Sequence, residues 1–263
     1  MRVTRVFLSL AIASSCFGSS AIAGEPESKS VAAAVPEDKS RWCAPELEAL
    51  DDTTCVADTA PKEGRATLVI FLHGVIAPKT TWQWTQQRAA TNATKIVPMT
   101  VLMPRGFLGM GSGSMKDVYA WPTGQAAQRE YEGGLIESLL AAKKKLETRR
   151  GRPYDDVFIA GFSSGAYYAS SLALRGTAPF DGYALMAGGT KNALAKDIDA
   201  RKPIFLSITT KDKTTRDDAR ELAKALDAGR WPHRTQEEAL GHMFTADWIA
   251  RSVRYFVSLR TPR

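Results

Sequence analysis

The chain has 263 residues, 44% of them hydrophobic and 24% charged, with a formal net charge of +7. That length holds one α/β domain with a large core, and no segment approaches the roughly 20 consecutive apolar residues that a membrane-spanning helix requires. The cations gather at Lys143, Lys144, Lys145, Arg149 and Arg150 and recur at Arg251, Arg254 and Arg260. The first group closes a long helical pattern, where positive charge suits the helix dipole, so it reads as a solvated face and no nucleic-acid partner is expected.

Residues 1–23 have the form of a secretory signal peptide. Arg2 and Arg5 supply the basic start, residues 6–13 an apolar run too short to anchor in a bilayer, and Ala21-Ile22-Ala23 the small residues of a cleavage site. Losing Arg2 and Arg5 with that leader takes the charge from +7 to +5. A buried N-terminal helix is the competing reading, but no polar face accompanies the apolar run. A second alternative is a lipoprotein box at Ala13-Ser14-Ser15-Cys16, which carries alanine where such boxes favour leucine. The expectation is therefore an exported protein, periplasmic or extracellular, without stable membrane insertion, anchored at Cys16 only if the second alternative holds. Oligomeric state is not legible.

Residues 24–40 are rich in Ala, Ser, Glu, Lys and Pro without periodicity and read as a disordered tail. Residues 41–63 carry Cys43 and Cys55. An even pair in an oxidising compartment predicts a Cys43–Cys55 disulfide. Residues 24–63 thus form an extension ahead of a catalytic domain over 64–263.

Regular patterning starts at Ala66. Residues 67–72 form a continuous apolar run with branched residues, as befits a strand buried on both faces. A helix is expected over 80–91, a strand over 96–103, and a long helix over 125–150 with Leu135, Ile136, Leu139, Leu140 and Leu146 at helical spacing. Strands follow at 157–160, 183–186 and 204–208. Helices follow at 164–175, 215–227 and 244–259, and a late strand begins near His233. Alternating strands and helices imply an α/β fold with a mostly parallel central sheet and helices on both faces. Sites of such folds lie beyond the carboxyl ends of the strands.

The residues that carry chemistry stand where strands end. Gly161-Phe162-Ser163-Ser164-Gly165 joins a predicted strand to a predicted helix, the setting of a nucleophile elbow. The glycines leave room where side chains would collide, and the helix start aims N–H groups at the reaction centre. A serine hydroxyl needs a base, and the order serine, acid, histidine excludes His73 and leaves His233 and His242. The glycine before His242 and the helix after it favour His242. Asp212 is the first acid after the strand at 204–208; Asp217 and Asp218 are alternatives inside the next helix pattern, with Asp181 and Asp199 behind them. The expected oxyanion donors are the N–H groups of Ser164 and of Val75, with Ile76 as a near alternative to Val75. His73 reads as a brace of that loop. Trp121, and with less weight Trp82 and Trp84, are candidates for lining a substrate pocket. The glycines of 106–113 suggest a mobile loop beside it. Three scattered histidines and a split cysteine pair offer no metal ligand set, no phosphate-binding glycine loop is present, and no cofactor is expected.

Leu72-His73-Gly74, Gly161-Phe162-Ser163-Ser164-Gly165, Lys211-Asp212 and Gly241-His242 stand in the order and approximate spacing of α/β-hydrolases. Over residues 64–260 the chain resembles exported esterases related to polyhydroxybutyrate depolymerases and feruloyl esterases, and the phospholipase/carboxylesterase group. It departs from the depolymerases in lacking the cysteine after His73-Gly74. The resemblance implies the α/β-hydrolase fold and a serine hydrolase acting on a small-molecule ester or polyester through an acyl-enzyme. A peptidase on the same fold and a non-catalytic binding protein are the alternatives.

Overall fold

The computed structural model describes residues 41–110, 116–194 and 201–260. The leader at 1–23, the box at Cys16, the tail at 24–40, Asp199 and the end of the 106–113 loop lie outside them. The chain opens with β1 (Glu48–Asp51) and β2 (Thr54–Asp58), then β3 (Thr67–Leu72), α1 (Trp82–Ala93) and β4 (Thr100–Pro104). A small hairpin of β5 (Phe107–Leu108) and β6 (Tyr119–Ala120) precedes α2 (Gln125–Arg150). Next come β7 (Asp156–Phe162), α3 (Ser164–Arg175), β8 (Gly182–Met186) and β9 (Ile204–Thr209). The chain closes with α4 (Arg216–Ala228), β10 (His233–Glu238) and α5 (Ala246–Ser258).

Eight strands form one sheet in the order β1-β2-β4-β3-β7-β8-β9-β10. From β4 to β10 every pairing is parallel, and β1 and β2 add an antiparallel edge. The period of two in β3 sorts its side chains. Leu68, Ile70 and Leu72 join the layer of α2, α3 and α4 through Leu139, Leu172 and Leu222. Val69 and Phe71 join the layer of α1 and α5 through Ala90, Trp248 and Phe256. All six residues of β3 are buried, and each large apolar side chain so placed is worth roughly 1.5–3 kcal/mol. From β3 the chain moves outward to β4, then returns to the other side of β3 as β7. This reversal is a topological switch point, which leaves a crevice at the carboxyl ends of β3 and β7.

Two expectations change in detail. Residues 48–58 do not stand apart from the sheet: β2 pairs with β4 from Thr54↔Pro104 to Asp58↔Thr100. The strand expected over 96–103 starts only at Thr100, because 94–96 form the turn that ends α1, with Ile96 exposed. Of the cations of α2, Lys143 is engaged by Glu147 at 2.6 Å and Arg149 by Glu48, while Arg150 donates to the Pro61 carbonyl at 2.9 Å. Arg260 reaches the fully buried Asp156 at 3.1 Å, where Arg65 also binds through two nitrogens at 2.6 Å.

Cys43 and Cys55 are bonded and buried, tying the segment before β1 to β2. Closing a loop with a sequence separation of 12 restricts the unfolded chain by about 3 kcal/mol in the chain-entropy account. Replacing both cysteines by serine is expected to lower unfolding free energy by about that amount, read as a lower urea midpoint. An unchanged midpoint would show that the bridge contributes nothing to stability.

Candidate active site

The turn from β7 to α3 is built around two absent side chains. A Cβ on Gly165 would lie 2.1 Å from the Leu72 carbonyl oxygen, and one on Gly161 would lie 2.3 Å from the Gly165 carbonyl oxygen. Only glycine lets the start of α3 sit against the end of β3. Between them Ser163 is held at φ 51° and ψ −117°, a conformation that costs a non-glycine residue of order 1–3 kcal/mol. Its N–H donates to the Met186 carbonyl at 3.0 Å, and its own carbonyl accepts from Ala166 and Tyr167 at 2.8 and 3.0 Å. Those bonds fix the strained turn and leave the side chain partly exposed.

Asp212 follows β9 and is almost sealed from solvent. Burial alone would raise its pKa. The Thr215 hydroxyl at 2.5 Å, the His242 ring at 2.6 Å and the Thr214 N–H at 2.9 Å outweigh that and hold it at about 2. The carboxylate is therefore ionised and can only accept, so Nδ1 of His242 carries the proton and Nε2 is left as an acceptor. Nε2 lies 2.9 Å from Ser163 Oγ. The loop bearing His242 is tied to the loop bearing Asp212 by the Lys211 N–H on the Leu240 carbonyl at 3.0 Å. The Phe162 ring lies beneath the imidazole, centroids 5.1 Å apart, and is backed by Phe244.

The loop after β3 is anchored on every side. Gly74 N–H donates to Gln86 Oε1 at 2.8 Å, and Ile76 exchanges two backbone hydrogen bonds with Tyr119. His73 is wholly buried, with its Nε2 accepting from Gly106 N–H at 2.9 Å and its Nδ1 bonded to the Gly74 carbonyl. Desolvation lowers its pKa to about 4, so it is a neutral brace. The Ile76 N–H is consumed by Tyr119, which removes it as an alternative donor. The N–H groups of Val75 and Ser164 donate to nothing among the described residues.

The remaining candidates separate. His233 opens β10, level with Ile204 at the amino end of β9, whereas Asp212 and His242 follow the carboxyl ends of β9 and β10. Its ring bonds the Trp231 carbonyl at 2.9 Å. Asp217 pairs with Arg216, Asp218 accepts from Tyr167, and Asp181 binds Arg260. Trp121 is fully buried, its indole N–H on the His73 carbonyl at 2.7 Å. It braces the loop from below and presents no surface to a pocket, which corrects its assignment as a lining residue. Trp84 is also buried, while Trp82 is 58% exposed at the start of α1. Gln86, Tyr119 and Thr215 were not singled out from the sequence, and Gly106 was read only as part of a mobile loop. Thr215 left a trace there, as a threonine opening a helix beside the acid. No cluster of potential metal ligands occurs among the described residues.

No family model and no curated protein matches this chain. Solved structures do. Esterase PE8 is 17% identical with a TM-score of 0.56, covering 78% of this chain and 97% of its own. A carboxylesterase from Mesorhizobium loti is 19% identical with a TM-score of 0.54, covering 79% and 94%. YahD, solved with malic acid, is 15% identical with a TM-score of 0.53, covering 79% and 98%. The chain has the α/β-hydrolase fold.

Because the Thr215 hydroxyl shares Oδ2 with the imidazole, Thr215→Val should raise the Asp212 pKa from about 2 toward the ordinary 3.8. The depressed folded value contributes stability above pH 3.8 that is lost as pH falls toward 2, so the variant should also unfold at a higher pH on acidification. Carboxyl NMR titration of both proteins reads the shift, and an Asp212 value that does not move would refute the account.

Proposed function

We propose that the protein is an exported serine hydrolase that cleaves carboxylic esters through an acyl-enzyme, with residues 64–263 as its catalytic domain and the preceding β1 and β2 completing its sheet. The observation that carries this reading is the unbroken chain of hydrogen bonds from Ser163 Oγ to His242 Nε2, and from His242 Nδ1 to Asp212. In the first step Ser163 Oγ attacks the ester carbonyl carbon as its proton passes to Nε2. The carbonyl π pair moves to oxygen, and the N–H groups of Val75 and Ser164 receive that oxyanion. Asp212 stabilises the imidazolium. Collapse of the intermediate breaks the bond to the alcohol, which leaves with the proton from Nε2. Water then repeats the sequence on the acyl-enzyme, releases the acid and restores Ser163. The names of the neighbouring structures, carboxylesterase and esterase, support esters over amides, and an alkoxide needs less help to leave than an amide nitrogen. The buried Cys43–Cys55 bond supports export.

Labelling with a fluorophosphonate and turnover of short activated esters test the assignment. Ser163→Ala and His242→Ala should each remove nearly all turnover, and the double variant little more, because the groups act as a unit. Asp212→Asn should lose about 10⁴-fold, as a related serine enzyme does when its imidazole tautomer is set wrongly. His233→Gln should stay within about twofold of the parent, since His233 opens β10 at the end of the sheet away from Ser163. Absence of both labelling and turnover in folded protein would leave a binding module in place of an enzyme.

Export has its own test. N-terminal sequencing of the protein recovered outside the cytoplasm should begin at Gly24. A start at a lipid-modified Cys16 would replace the soluble reading with an anchored one.

A further inference from the structure

A cavity of about 490 Å³ lies between the β2–β4 edge of the sheet and α2. Ser163, Asp212 and His242 do not line it. Residues 104–107 form one wall, and among them Gly106 is the residue whose N–H holds His73. Tyr131, Gly134, Leu135 and Ser138 of α2 form the other wall, spaced so that they share one helix face.

Two features of these walls are not accounted for by the packing of the chain itself. The first is Arg105. Its N–H donates to the Thr53 carbonyl at 2.8 Å and its guanidinium lies over the Tyr119 ring at 5.1 Å, yet it pairs with no carboxylate among the described residues. A half-buried guanidinium keeps its charge, and its fork of donors matches a carboxylate. Glu130 does not fill that role: it is exposed and engages the adjacent Tyr131 hydroxyl, which raises the pKa of that phenol. The second feature is Gly134. Glycine weakens a helix interior relative to almost any other residue, and a Cβ at Gly134 would have nothing within 4 Å. No crowding demands glycine there; its bare Cα preserves the volume of the cavity. The remaining wall is apolar, with the Phe107 and Tyr131 rings 5.3 Å apart and Leu135 and Leu139 both buried.

We propose that this cavity binds a small carboxylic acid with a compact apolar body, taken up as its carboxylate. The anion pairs with Arg105, and the body lies against Phe107, Tyr131 and Leu135. Free phosphate would satisfy the cation but leave the apolar wall bare, and a neutral aromatic would cover the wall but leave the guanidinium unpaired. The site is separate from the crevice, so it stands whether or not Ser163 is a nucleophile.

Benzoate is the probe, titrated into the whole protein and followed by backbone NMR, with benzyl alcohol as the uncharged control and inorganic phosphate as the control without an apolar body. Benzoate should saturably shift the signals of Arg105, Phe107, Gly134 and Ser138, and should bind about tenfold more tightly than either control. Arg105→Gln should weaken benzoate by about tenfold, as loss of a charge-assisted hydrogen bond implies. Gly134→Leu should abolish the shifts by filling the cavity, with a thermal midpoint at or above that of the parent because leucine is the better helix former. Gly133→Leu is the matched control: Gly133 is equally open but does not line the cavity, so this variant should bind as the parent does. Equal binding of benzyl alcohol or of phosphate overturns the carboxylate assignment. No shift at all, shifts confined to the surroundings of Ser163 and His242, or binding that survives Gly134→Leu overturns the site. Ester turnover enters none of these readouts, so failure of the esterase reading is told apart from failure of this one.

Discussion

The arrangement depends on one steric constraint, the approach of the β7–α3 turn to the end of β3. With no Cβ at Gly165, the first turn of α3 comes against the Leu72 carbonyl, and with none at Gly161 the turn can close on itself. That closeness does three things at once. It forces Ser163 into a left-handed conformation, points a fresh helix start at the crevice, and brings the His73-Gly74 loop beside the serine. Gly74 completes the fit, since a Cβ there would sit 3.2 Å from the Ser163 Cβ. A methyl group at Gly165 would press on the Leu72 carbonyl and one at Gly161 on the Gly165 carbonyl, so the turn could not close against β3.

Outward from that turn, order is imposed by partners that do not face the crevice. Thr215 stands at the N-cap position of α4 yet makes no capping hydrogen bond; its hydroxyl is committed to Asp212. The helix forgoes a contribution of about 1 kcal/mol, and the carboxylate gains a donor that holds it ionised and oriented. Trp121 acts similarly, spending its only polar atom on the His73 carbonyl. Such residues decide where the loops lie, while Ser163, Asp212 and His242 occupy the positions that result.

Legibility followed burial and backbone demand. β3 was readable because both its faces are covered, so no polar residue interrupts residues 68–72. The Ser163 turn was readable because its geometry tolerates only glycine at 161 and 165. β10 was not bounded in advance because His233-Arg234-Thr235-Gln236-Glu237-Glu238 contains no apolar residue; it is an edge strand held by main-chain pairing with β9. β1 and β2 were hidden for a different reason: their apolar residues, Leu50, Cys55 and Val56, stand in runs too short and mixed to show a period. Chain order and a glycine favoured His242 over His233 in the sequence, while the physical discriminator is the strand end each occupies. Trp121 misled because an indole fits equally well in a core or a pocket wall, and composition does not say which way the ring turns.

The setting of His73 has a consequence for the molecule's tolerance of acid. Its imidazole lies between two indoles, Trp42 at 5.1 Å and Trp121 at 4.9 Å, and among the described residues both its nitrogens bond to backbone, none to a carboxylate. Unfolded, the ring takes a proton near 6.5; folded, it resists until about 4. Between those values the unfolded chain binds the extra proton, so stability falls as the medium acidifies through that window. Trp42 neighbours Cys43, whose bond to Cys55 keeps that end of the chain on the sheet. Slackening the N-terminal clasp would let water, and with it acidity, reach the buried imidazole and the loop that frames the crevice.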